Sequence, residues 1–137
     1  MNIAKNVGAV VLGLVVGMIA ITLMHVLGEL LYPLPEGVDG NNPESLAAYI
    51  PTMPFGAFMM VLLAHQSGAF FGSIAAVLVL RKSGNAMRLG FIVGALMMVF
   101  GIMNLFMLPH PAWFAIVDTV LYIPLALLGA RMVMRKT

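Results

Sequence analysis

Four long apolar runs separated by short polar stretches dominate this chain, covering roughly residues 8–31, 54–80, 89–108 and 111–129. Each is close to the ~20 residues that carry a helix across ~30 Å of hydrocarbon. The pattern predicts an all-α, polytopic membrane protein, a single domain of four transmembrane helices in a bundle. Arg81-Lys82-Ser83-Gly84-Asn85 reads as one tight turn and Leu108-Pro109-His110-Pro111 as another. The one sizeable loop, residues 32–49, is rich in Pro, Gly and Asn and carries Glu36, Asp39 and Glu44. Within it Asn42-Pro43-Glu44 has the order of an N-cap, a first-turn proline and a first-turn acid. A short helix through Tyr49 should follow, ending before Pro51.

Charge fixes the expected orientation. The cations Lys5, Arg81, Lys82, Arg88, Arg131, Arg135 and Lys136 all fall at one end of the apolar runs. The acids Glu29, Glu36, Asp39, Glu44 and Asp118 fall in or beside the other two turns. By the positive-inside rule both termini are cytoplasmic and the 32–49 loop is outside. Tyr32, Tyr49 and Trp113 then fall where an outer aromatic belt belongs. Lys5 followed by an apolar run has the flavour of a signal peptide. With no small-x-small cleavage site before Leu31, it reads as a retained first span.

Composition narrows the classes. Hydrophobic residues make up 62% of the chain and charged ones 9%, with a mean hydropathy of +1.06, which excludes an ordinary soluble domain. The net charge of +2 reflects topology. Its cations are spread over three segments, so no nucleic-acid partner is expected, and the partner implied is the lipid bilayer. The absence of cysteine removes disulfides, thiol catalysis and iron–sulfur ligation. Asp39-Gly40-Asn41 lacks the alternating ligands and bidentate Glu of a calcium loop. The 13 methionines include no Met-x-Met or Met-x-x-Met ladder in the loop, so they read as gap-filling core residues and not as copper ligands.

Small residues mark the packing faces. Ala64, Gly68, Gly72 and Ala76 recur every fourth residue in the second run, with Gly13 and Gly17 in the first and Gly90, Gly94 and Gly101 in the third. Such spacing lets helix backbones approach closely in lipid. These faces serve either the monomer or a homo-oligomer or larger membrane complex, and sequence leaves both open. Pro124 should kink the fourth helix.

Polar residues inside the spans are the functional candidates. They are His25, Glu29, His65, Gln66, Asn104 and Asp118, all in the outer half or the middle of the bilayer. Asp118 lies roughly 10 Å below the end of its span at 1.5 Å per residue, and His65 on another helix is its natural partner. His25 and Glu29, four apart, share one helical face. The one-sided distribution predicts an outward-facing cavity lined by these six residues, holding an unidentified small molecule or ion. Two rivals stand beside it. In an accessory subunit the same groups would only fasten helices together, and in an intramembrane enzyme His65 and Asp118 would act as acid and base. No nucleophilic Ser or Cys motif accompanies them, so no catalytic residue is assigned. The possible metal ligands come from separate elements, so neither metal nor cofactor is assigned.

The chain resembles a family of small four-span bacterial membrane proteins with no assigned function. The residues that carry the likeness are Pro35-Glu36-Gly37-Val38-Asp39, Glu44-Ser45-Leu46, Ala64-His65-x-x-Gly68-x-x-x-Gly72, Pro109-His110-Pro111-Ala112-Trp113-Phe114, Asp118 and Tyr122-Ile123-Pro124. The resemblance covers nearly the whole length. It implies a four-helix fold in the bacterial inner (plasma) membrane and supplies no activity.

Overall fold

A computed structural model describes residues 3–80, 82 and 84–134. Helix α1 (Ile3–Leu31) leads into the loop, where α2 (Pro43–Tyr49) runs on into a 3-10 turn (Ile50–Thr52). Helices α3 (Phe55–Leu80), α4 (Ala86–Met107) and α5 (Ala112–Met134) follow. Helices α1, α3, α4 and α5 are long and apolar enough to cross a membrane, which fits an integral, multi-pass protein. In hydrocarbon the backbone must satisfy its own hydrogen bonds, and a helix does so within one segment.

The helices outrun the apolar stretches that predict them. Helix α1 begins at Ile3 and not near residue 8, α4 at Ala86 and not 89, and α5 continues to Met134 and not 129. A hydrogen-bond ladder has no reason to stop where hydropathy falls. The turn cation Arg81 and the terminal Arg135 and Lys136 lie outside the described residues, while Lys82, Arg88 and Arg131 lie at the end opposite the loop.

The loop is built as its capping residues dictate. Asn42 Oδ1 accepts from the backbone N–H of Glu44 at 2.9 Å and of Ser45 at 3.3 Å. Asp39 Oδ1 accepts from Asn41 N–H at 2.9 Å, and Asp39 N–H donates to Ser45 Oγ at 2.9 Å. That carboxylate therefore closes a turn. Helix α2 ends at Tyr49, before Pro51, as expected, and the chain passes into a 3-10 turn. Pro51 sits inside that turn, near a start where a missing N–H leaves nothing unsatisfied.

Helix α3 is the centre of the bundle and touches α1, α4 and α5. Its small residues decide how closely. A Cβ on Gly72 would lie 2.6 Å from the Gly13 carbonyl oxygen, and one on Gly17 would lie 2.7 Å from that of Gly68. Antiparallel α1 and α3 thus meet backbone to backbone. A second seam joins α4 to α5, with Gly90 opposite Ala130 and Gly94 opposite Ala126. Gly129, on no predicted packing face, closes a third: a Cβ there would lie 2.6 Å from the Phe70 carbonyl oxygen and 2.7 Å from Ser73 Oγ.

Helix α5 stays helical through Pro124. There Ser73 Oγ donates to the Ala126 carbonyl at 2.6 Å, tying α5 to α3 just past the point where the proline removes a ladder bond. At the loop end Ile50, Phe58 and Phe114 form a small core of their own. It fastens the 3-10 turn to α3 and α5 and holds the loop over the mouth of the bundle.

Candidate binding site

Asp118 is fully buried, 0% exposed, one and a half turns into α5. A carboxylate so placed must be compensated. His65 Nδ1 lies 3.0 Å from Oδ2 and 3.1 Å from Oδ1. Gln66 Nε2 donates to Oδ1 and to the Asp118 backbone carbonyl, both at 3.1 Å. Tyr122 lies one turn further along α5 and is 2% exposed. Its ring stacks on the His65 imidazole at 6.3 Å with 24° between planes, and is packed over Gly101. Two side chains of α3 thus converge on the Asp118 carboxylate. With the carboxylate as acceptor, Nδ1 of His65 is the N–H that donates to it.

On the other side of His65 opens a partly enclosed cavity of about 350 Å³. Helix α1 contributes Met24, His25, Gly28 and Glu29, α3 contributes Met60, Val61 and His65, and Asn104 and His110 come from the α4–α5 end. Tyr32, Leu34, Leu46, Tyr49 and Met53 cover it from the loop. A volume of this size matches the lower range of small-molecule pockets. The His25 and His65 rings face each other across it with centroids 5.9 Å apart.

His110 Nδ1 lies 3.0 Å from the Leu108 carbonyl, and its ring stacks on Phe114 at 4.9 Å. A carbonyl only accepts, so Nδ1 donates and Nε2 is the unprotonated nitrogen of the neutral ring. Burial lowers the His110 pKa from its ordinary value and favours that neutral form.

Comparison with protein-family models, curated proteins and solved structures gives no match. The site must therefore be read from its own geometry.

Of the residues the sequence singles out, His25, Glu29, His65 and Asn104 line one cavity. Gln66 and Asp118 do not. They stand behind His65, where Asp118 sets its tautomer and Gln66 braces Asp118. The reason is register: Asp118 faces α3 across the bundle axis, and the imidazole fills the space between it and the opening. Glu29, at the end of α1, is exposed at the mouth.

The structure adds His110 and the inner face of the loop. The sequence places His110 in a turn without a direction, because turn geometry decides where such a ring points. Among the described residues no three His, Asp or Glu side chains come close enough to share a metal ion. No Ser hydroxyl lines the cavity: Ser67 donates to the Ala64 carbonyl at 2.7 Å and Ser73 to Ala126.

Proposed function

We propose that the protein is a small inner-membrane component that takes a small solute from the outer side into the pocket beneath the 32–49 loop. One observation carries this reading. The cavity beneath the loop reaches His65, the imidazole that a fully buried carboxylate orients, and beyond it α1 and α3 close against each other at the Gly13–Gly72 and Gly17–Gly68 seam. A group that served only to fasten helices would need no opening on its free side. The closed seam makes the monomer a one-ended receptacle and not a pore, so any transfer across the membrane needs a change in helix packing or a partner subunit.

The segregation of Lys5, Lys82, Arg88 and Arg131 from Glu29, Glu36, Asp39 and Glu44 supports placing the loop outside and both termini in the cytoplasm. An accessory role draws support from the hydrogen bonds that join His65, Gln66 and Asp118 across α3 and α5. The chain has no cysteine, so one added thiol separates the readings. Asn104→Cys, on the cavity wall, should react in intact cells with a membrane-impermeant maleimide added outside. Val93→Cys, in the closed half, should not. An unreactive Asn104→Cys that labels only after denaturation would overturn the outward-open pocket.

A further inference from the structure

The charge and the hydrogen-bonding polarity of the cavity identify its ligand class. All five acidic residues lie at the loop end of the bundle, and the described cations Lys5, Lys82, Arg88 and Arg131 lie at the other. Glu29 stands at the mouth, and Asp118 lies behind the floor. An anion entering here meets like charge with no compensating cation, whereas a cation is drawn in.

The tautomers sharpen this. His65 and His110 each use Nδ1–H on an internal acceptor, the Asp118 carboxylate and the Leu108 carbonyl. In its neutral form a ring held this way presents Nε2 to the cavity as an acceptor. For His65 this is decisive. The residue is 7% exposed, that exposure faces the cavity, and no described hydrogen bond engages Nε2. That nitrogen is not sealed off, so a donor on an occupant of the cavity can reach it. Glu29 adds a carboxylate acceptor at the rim.

We infer that the pocket binds a small organic ammonium ion, a protonated amine whose N–H groups are taken by Nε2 of His65, Nε2 of His110 and the Glu29 carboxylate. The inference rests on the outward-open pocket proposed above and adds the identity of what it holds. An ammonium fits where a metal ion does not. The imidazoles do not converge to the spacing of a shared ion, and about 350 Å³ walled by Met24, Met60 and Val61 accommodates an apolar body beside the charged head. A quaternary ammonium satisfies the charge but leaves the acceptors without donors.

The test is calorimetric titration of the protein in lipid nanodiscs with benzylammonium, benzyl alcohol, benzoate, benzyltrimethylammonium and Zn²⁺. Benzylammonium should bind, and the other three organic probes should bind at least about tenfold more weakly, because none combines the positive charge with N–H donors. Glu29→Gln and His110→Phe should each weaken benzylammonium about tenfold while the protein still unfolds cooperatively at pH 7.5. Glu29 is exposed, and Phe keeps the stack on Phe114. Benzoate, benzyl alcohol or the quaternary ion binding as tightly as benzylammonium would overturn the assignment. So would binding of Zn²⁺ alone, failure of benzylammonium to bind, or full affinity in both variants. If Asn104→Cys labels from outside while benzoate binds best, the pocket stands and the ligand class falls. If Asn104→Cys does not label, the pocket reading itself falls.

Discussion

At the residue scale the chemistry concentrates in one pair. His65 and Asp118 meet inside the bundle at 3.0 Å, and neither could be there alone. Removing one partner of a buried pair costs about 3–5 kcal/mol, because a charge or a polar ring is left uncompensated. His65→Leu and Asp118→Leu should each lower stability in detergent by that order. The double variant should fall short of the summed loss by at least ~1 kcal/mol. Additive losses, measured by thermal unfolding, would show that the two side chains are not coupled. His110 gives a pH signature. Its folded pKa lies below the ordinary 6.5, so near and below that value the unfolded chain binds more protons than the folded one. The stability it contributes is complete above about 6.5 and is lost as pH falls through the folded value. His110→Phe should flatten this part of the melting-temperature profile, and an unchanged profile would assign the titration elsewhere.

At the element scale, packing follows from small residues and the loop from capping. A Cβ on Gly72 would fall on the Gly13 carbonyl, whereas one on Gly8 would meet nothing within 4 Å. Gly72→Ala should therefore destabilise by about 1–3 kcal/mol, the usual cost of overpacking, and Gly8→Ala should not destabilise at all. Equal melting temperatures for the two variants would place the α1–α3 seam elsewhere. Much of this level was legible in the sequence. Ala64, Gly68, Gly72 and Ala76 repeat every four residues, and Asn42-Pro43-Glu44 announces its helix, because both signals are local and periodic. Gly129 was not legible, since it has no small neighbour at four-residue spacing in its own run and its partner is a carbonyl on another helix. Likewise the sequence could name Asp118 and Gln66 as polar and deep. It could not tell that they stand behind His65, because rotation of α5 about its axis leaves no trace in hydropathy.

At the scale of the whole molecule, the protein has two unlike ends. The loop end holds the acids, the cavity and the three histidines that line it, and the other end holds the described cations and tightly packed glycine seams. The orientation proposed for these ends requires that a reporter active only outside the cytoplasm stay inactive when fused after Thr137. Activity there would invert the protein. The central claim, that water reaches His65 from the loop end and stops there, is open to one measurement. Methionines make natural reporters, because Met24, Met53 and Met60 line the cavity whereas Met97 is 1% exposed in the closed half. Hydroxyl-radical footprinting of the protein in nanodiscs, read by mass spectrometry, should oxidise Met24, Met53, Met60 and the His65 ring and spare Met97. Oxidation of Met97 to the same extent as Met60 would mean a continuous aqueous path, and protection of both Met60 and His65 would mean no cavity; either result contradicts the account.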